Sequence, residues 1–414
     1  MRPARELVPM SQRDLHRYHT LNLVLEHRLT GAQAAVSLGL TERQIWWLLA
    51  RLRTDGRQGL VHGNRGRPSG RRLPAAVQQQ ILTLARGLYA GLNTTHLTEK
   101  LQAEHGLAVS RATVHRLLRA AGVARPRHRR PPRHRARRPR KAQAGHLVLW
   151  DGSPHAWLEA RGPRACLVGA MDDATGALLP GAVFVPAEDT VSYLRLLRVL
   201  VGTCGIPGAL YMDRHGIFRR NDAAWTLAEE LQGRQEPTQV GRALAALGIE
   251  AIFALSPQAK GRIERLWETL QDRLVAELRL AGITTLAAAN AFLPTFTGAF
   301  NARFARPATD TAPAWRPVPR GLDLDRLCSL YTEATVLNDN TVRTQGRVLQ
   351  IPPGPGGRGY AKARVEVRQL LDGTWRIYHR DRLLTTQQAV SGPPQQSLRR
   401  RRYSRGPLPV VSAA

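Results

Sequence analysis

Lysine is scarce in this 414-residue sequence: of its 61 basic residues, four are Lys and 57 are Arg. Codon bias in a GC-rich genome accounts for most of that preference. It does not account for the shortage of acids, 31 against 61, which leaves a formal charge of +30. A charge so far from zero makes a polyanion the first partner to consider. The planar guanidinium fork suits phosphates and guanine edges. Cysteine is nearly absent. Cys166, Cys204 and Cys328 are too few and too far apart for a disulfide framework or a CxxC zinc site, so a reducing cytoplasmic setting is expected. No run of about 18 apolar residues occurs, which excludes a transmembrane helix. The opening MRPARELVPMSQRDLHRY lacks the apolar core of a signal peptide. Hydrophobic residues still make up 43% of the chain, so it can bury real cores and is not a disordered polycation.

The length suggests two to four domains, and the uneven distribution of basic residues divides the chain. Residues 125–141, RPRHRRPPRHRARRPRK, hold ten Lys+Arg, four Pro and no acid. Such a stretch forms no core and the prolines keep it extended. It reads as a basic linker with DNA along it, Arg129 and Arg130 at its centre. A second cluster, LRRRRYSR (398–405), lies in an expected disordered tail, 391–414. A third, GNRGRPSGRR (63–72), separates two helical segments. It is either a plain loop or, through Arg65 and Arg67, similar to the minor-groove hook of chromatin proteins.

Residues 1–62 read as a helix-turn-helix. Thr30 caps a helix through Leu38, Gly39 and Leu40 turn the chain, and Thr41 caps ERQIWWLLARLR. Ile45, Leu48, Leu49 and Leu52 form its inward stripe. Arg43 and Trp47 then face outward, where a recognition helix meets the major groove. The pattern recurs in 73–124, with Gly106 in the turn and Ser110 capping RATVHRLLRAAG. Val114, Leu117, Leu118 and Ala121 point inward; Arg116 and Arg119 point outward.

From 142 to 306 the texture becomes α/β. HLVLW (146–150), ACLVGAM (165–171) and ALLPGAVFV (177–185) read as strands, with DDATG as a turn that keeps Asp172 and Asp173. A helix over 190–202, the strand GALYM, a helix, the strand IEAIFAL and two long helices follow. Residues 321–390 alternate as short strands with Gly turns, which suits a small β-barrel or a sandwich, the barrel being the expectation.

Asp151 directly follows HLVLW, and Asp213 directly follows GALYM. If those strands are neighbours, both carboxylates emerge near one sheet edge, where open α/β sheets place ligands. On the long helix GRIERLWETLQDRL, Glu264 lies about 100° from the centre of the apolar stripe, at its border, while Glu268 and Asp272 turn toward solvent. Three converging carboxylates repel one another unless a divalent cation joins them. Two such ions about 3.5–4 Å apart suit in-line phosphoryl displacement. For each acid alone, a surface charge remains the other reading.

The blocks WDGSPHAW, YMDRHGIF and SPQAKGRIER resemble the integrase-core transposases of bacterial insertion sequences, of the ISNCY type, in the superfamily that includes retroviral integrases. HGNRGRPS and LNDNTVRTQGRVLQIPPG extend the resemblance over nearly the whole chain. It implies three parts: an all-α N-terminal region of tandem helix-turn-helix units, a ribonuclease-H-like α/β core, and the small β-barrel. It also implies an Asp-Asp-Glu triad of Asp151, Asp213 and Glu264, Mg²⁺ (two ions, Mn²⁺ substituting), and no zinc or nucleotide cofactor. The implied activity is cleavage of DNA at terminal inverted repeats and strand transfer into target DNA, by a homo-oligomer assembled on double-stranded DNA away from membranes. In the loop before Glu264, Lys260 and Arg262 are candidates to hold DNA phosphates, Lys260 being otherwise a solvated loop residue. His215 contacts DNA or merely packs, and the segment 219–239 is a lid, a DNA contact or a loop. The rival reading is a catalytically inactive, domesticated transposase acting as a sequence-specific repressor; a nuclease without strand transfer is a third.

Overall fold

The structure is a computed structural model that describes residues 10–62, 72–123, 138–220, 225–233, 235–254 and 261–388. The chain divides into two compact units, Met1–Gln80 and Ile81–Ala414. In the first, α1 (Gln12–Leu25), α2 (Gly31–Leu38) and α3 (Glu42–Asp55) pack around Leu21, Ala34, Ile45, Leu49 and Leu60. The caps are those the sequence predicts. Thr30 accepts from Gln33 N and Thr41 from Gln44 N, each answered by the Gln side chain. Gly39 ends α2 in the left-handed conformation, φ 61°, which glycine adopts without Cβ strain.

Helix α4 (Ala75–Arg86) crosses the division, and α5 (Thr94–His105) and α6 (Arg111–Ala120) follow. Asn93 caps α5, Gly106 closes it, and Ser110 caps α6. Val114 is fully buried and Leu117 and Leu118 half-buried, as the stripe requires.

The α/β region is a five-stranded mixed sheet of order β3-β2-β1-β4-β5. Its strands are β1 (Leu147–His155), β2 (Ala165–Asp172), β3 (Val183–Val185), β4 (Ala209–Met212) and β5 (Glu250–Phe253). The first three are antiparallel neighbours, and β4 and β5 join β1 in parallel. On one face lie α7 (Thr190–Cys204) and, after the short α8 (Leu227–Gln232), α9 (Gln239–Ala246). They pack on Val148, Trp150, Val168 and Leu210. On the other, α10 (Gly261–Leu280) and α11 (Leu286–Phe304) pack Trp267, Leu270, Leu274, Leu293 and Phe296 on Leu149 and Leu167. Two strands differ from expectation: β3 covers only Val183–Val185 of the expected 177–185, Leu178 making just an isolated bridge to Met171, and β1 ends later than expected. β1 runs past Trp150 because DGSPH pairs with β2, Asp151 opposite Gly169 and His155 opposite Ala165. Asp151 therefore lies inside the strand.

Helix α5 is bonded to α10. Arg273, nearly buried, donates to both Glu99 oxygens at 2.7 and 2.9 Å. His96 Nε2 lies 2.7 Å from Glu277 Oε1, and Lys100 donates to its Oε2 at 2.9 Å. Asn93 donates to Asp272, the residue expected to face solvent.

After the short α12 (Leu324–Leu327), strands β6 (Leu330–Thr335), β7 (Thr341–Thr344), β8 (Arg347–Gln350), β9 (Arg364–Gln369), β10 (Trp375–His379) and β11 (Arg382–Gln387) follow. They form a four-stranded antiparallel sheet, β11-β10-β9-β6, and a β7-β8 hairpin around one core that includes Val342, Leu349, Val367 and Trp375. Among the described residues the sheet is open, with β11 and β6 at its edges, rather than the closed barrel expected.

Candidate active site

The parallel ladder pairs Leu147 with Ala209, Val148 with Leu210 and Leu149 with Tyr211. Two residues beyond the last of these pairs stand Asp151, still inside β1, and Asp213, the first residue past β4. Because alternate residues of a strand share a face, Asp151 falls on the side of Leu149, which α10 covers. Asp151 is half-buried, and Trp267 Nε1 donates to its Oδ2 at 3.1 Å. The indole fits there because residue 169, opposite Asp151, is glycine: a Cβ on Gly169 would stand 3.0 Å from Trp267 Cη2. Asp213, just past β4, accepts from His215 N at 3.1 Å. His215 in turn accepts from Ile217 N at 3.3 Å through Nδ1, so it shapes the turn that carries Asp213.

Glu264 is exposed on the first turn of α10, three residues before Trp267, a rise of about 4.5 Å along the helix. Asp151 thus lies on the face of the sheet covered by α10, the helix that carries Glu264. Among the described residues, no three His, Cys, Asp or Glu side chains close into a metal-binding group. Beyond the other face, the carboxylate of Glu188 lies where a Cβ on Gly152 would collide with it. It accepts from Tyr193 at 3.0 Å and Cys166 at 3.6 Å. Burial, and then the Glu188 charge, push the Cys166 thiol up to about 12, so it stays protonated.

Arg262 points inward. It donates to Asp173, whose side chain is fully buried, and to the Arg138 carbonyl, which leaves its own side chain 14% exposed. Asp173, read from sequence as a turn residue, also accepts from Arg138 at 2.7 and 3.2 Å and from Lys141 N at 2.8 Å. Burial raises the Asp173 carboxyl, but the bonds from Arg138, Lys141 and Arg262 outweigh it and hold it below the ordinary value.

Of the other DNA-contact candidates, Arg43 is exposed at the start of α3, and Trp47 is 58% exposed with the Arg51 guanidinium 4.9 Å from its ring centroid. Arg116 and Arg119 are exposed on α6. Arg65, Arg67, Arg129, Arg130 and Lys260 lie outside the described residues. Sequence reasoning missed Trp267 as a donor to Asp151, because its spacing marks it only as core. In the segment 219–239, Glu229 is buried and tied to Arg220 and to the amides of Thr226 and Glu236. Those amide bonds lead in lowering its carboxyl to about 2, and Trp225, Leu227 and Leu231 are exposed beside it.

Helix-turn-helix units joined to an α/β domain with carboxylates at neighbouring strand positions define a DNA-acting protein of the transposase and integrase class. Residues 44–118 match the homeodomain-like domain family. The chain is 36% identical over 395 residues to "Putative transposase y4bF" of Sinorhizobium fredii, covering 92% of this chain and 84% of that one. It is 31% identical to the transposase for insertion sequence IS1202 of Streptococcus pneumoniae, covering 94% and 90%. The chain belongs to this family of insertion-sequence transposases. Among solved structures, it aligns with a chain of the simian T-cell lymphotropic virus intasome in complex with PP2A regulatory subunit B56 gamma (14% identity, 75% of this chain and 99% of that one, TM-score 0.32). It also aligns with the HTLV-2 integrase catalytic core domain in complex with magnesium (16% identity, 37% and 84%, TM-score 0.26). No helix among the described residues is long and apolar enough to cross a membrane.

Proposed function

We propose that this chain is a DDE transposase with a ribonuclease-H-like core. It binds the terminal inverted repeats of its insertion sequence, cleaves there, and joins the freed ends to target DNA. The observation that carries the reading is the parallel pairing of β1 and β4, with Asp151 and Asp213 each two residues past its last pair, and Asp151 held by Trp267 of the helix that bears Glu264. An all-carboxylate oxygen set fits a hard divalent cation, so Asp151, Asp213 and Glu264 are the residues that would hold Mg²⁺ or Mn²⁺. When bound, such ions lower the pKa of an attacking hydroxyl and offset charge on the leaving oxygen.

The protein's own residues supply position. The Trp267 N–H fixes one oxygen of Asp151, and the His215 amide fixes one of Asp213. In the first step water attacks a phosphodiester at the element end, and the strand departs with a free 3′-hydroxyl. In the second, that hydroxyl attacks a target phosphodiester and a target 3′-oxygen leaves. One phosphodiester replaces another, so no nucleotide cofactor is required.

Arg43 and Trp47 on α3, and Arg116 and Arg119 on α6, are the groove-facing candidates. Arg65, Arg67, Arg129, Arg130 and Lys260 add phosphate contacts. Two element ends call for two active sites, hence a homo-oligomer assembled on DNA. The test is incubation of the full chain with terminal-repeat duplex, with Mg²⁺ or with EDTA. Metal-dependent nicks with 3′-hydroxyl ends and joined products are expected. Sequence-specific binding without any cleavage in Mg²⁺ or Mn²⁺ would refute the reading and favour a repressor.

A further inference from the structure

Five arginines converge on the turn Asp172–Gly176. Arg138 and Arg262 pair with the buried Asp173 carboxylate. Arg140 donates to the carbonyls of Asp173 and Ala174 at 2.6 and 3.5 Å, and its guanidinium lies over Gly176, 3.2 Å from where a Cβ would stand. The amide of Arg306 donates to Thr175 O at 3.0 Å, which brings the end of α11 to the same turn. Arg265 follows Arg262 by three residues, on the same side of α10. The turn's own two carboxylates are already bonded. Asp172 accepts from Gly145 N, Thr175 N and Thr175 Oγ1, each at 2.8 Å. Asp173 accepts from Arg138, Lys141 N and Arg262.

Positive charge therefore remains in excess. Arg265 and Arg306 are exposed, and among the described residues no carboxylate pairs with either. Their charges, with that of Arg262, bear on Arg140, whose pKa is lowered first by burial and then by these neighbours. Guanidinium groups held together at such cost invite an anion with several oxygens, and a phosphodiester supplies one.

We propose that Arg140, Arg265 and Arg306 form a phosphate subsite for the backbone of duplex DNA beside the candidate active site, with Asp173 ordering Arg138 and Arg262. This rests on reading the chain as a DNA-processing protein, and it changes one assignment. Arg262, the expected phosphate contact, is the internal strut, and Arg265, next to Glu264, is the contact. Asp173 N bonds to Leu147 O at 3.0 Å, so the turn lies level with Leu147, four residues before Asp151. That is about 13 Å along a strand, or about four base-pair steps at the 3.4 Å rise of a duplex. The phosphates engaged are therefore a few nucleotides from the scissile bond.

The test compares the full-length wild type with the double variant Arg265→Gln/Arg306→Gln, both confirmed as folded by thermal melting. Binding of a fluorescein-labelled random-sequence duplex is followed against salt. The expected result is a log K versus log salt slope shallower by roughly 1.8, two phosphate contacts at about 0.9 each. Arg265→Lys/Arg306→Lys should restore it, since charge and not base reading is involved. Neutral methylphosphonate linkages placed along an end duplex should then weaken wild-type binding most a few nucleotides from the scissile bond, and leave the Gln variant unmoved there. An unchanged slope in the Gln variant overturns the subsite even if cleavage persists. A reduced slope in a protein that never cleaves supports the subsite and counts against the transposase chemistry.

Discussion

Replacing Trp267 by Phe removes a single donor from the candidate site. The indole N–H reaches Asp151 Oδ2 at 3.1 Å, and the ring lies 5% exposed between α10 and the sheet. A phenyl ring keeps part of that packing but is smaller than the indole, so lost contacts and a small cavity should together cost about 1–2 kcal/mol. The lost hydrogen bond has a charged acceptor and is worth about 1.5–3 kcal/mol. If all of it positions Asp151 in the transition state, the rate falls roughly 10- to 150-fold at 1.36 kcal/mol per decade. Single-turnover strand transfer from pre-cut ends isolates that step, and a thermal melt reports the fold. A wild-type rate in a variant still folded at the assay temperature would refute the positioning role of the indole.

Other consequences follow from the same contacts. Glu99→Gln leaves the nearly buried Arg273 without its bidentate carboxylate. Breaking a buried pair costs about 3–5 kcal/mol, and Glu99 is 22% exposed, so a lower-end loss is expected as a shift of the urea midpoint. An unchanged midpoint would show that the Glu99–Arg273 pair contributes nothing. Asp173, Glu99 and Glu277 all have depressed folded-state pKa values: burial raises each, and hydrogen bonds from Arg138, from Arg273, and from His96 and Lys100 outweigh it. Their contribution is therefore present above the unfolded carboxylate values, about 3.9 to 4.3, and is lost as pH falls through the lower folded values. Denaturation followed from neutral pH downward should show stability falling in acid, less steeply in Asp173→Asn, and an identical slope in that variant would remove Asp173 from the account.

Local chemistry was legible in the sequence. Thr30, Thr41 and Ser110 cap the predicted helices because a cap bonds to amides two or three residues away. The stripe Ile45, Leu48, Leu49 and Leu52 is buried as its period requires. The span of α10 also follows from periodicity. The end of β1 did not follow, because DGSPH looks like a loop until β2 supplies its partners. Asp173 was read as a turn charge because its partners, Arg138 and Arg262, lie 35 and 89 residues away. Asp272 was turned to solvent by a helical wheel that cannot register α5 docking on that side. For the candidate site, strand position and helix angle chose the three acids. The donors that orient two of them, Trp267 and the His215 amide, emerged only from tertiary packing.

The most direct test of the carboxylate assignment takes Asp151→Asn, Asp213→Asn and Glu264→Gln, each nearly isosteric, and measures strand transfer in Mg²⁺ alongside binding of the same terminal-repeat duplex. The expected result is product at background for all three with binding retained. Wild-type product from any one of them would contradict its place in the catalytic centre.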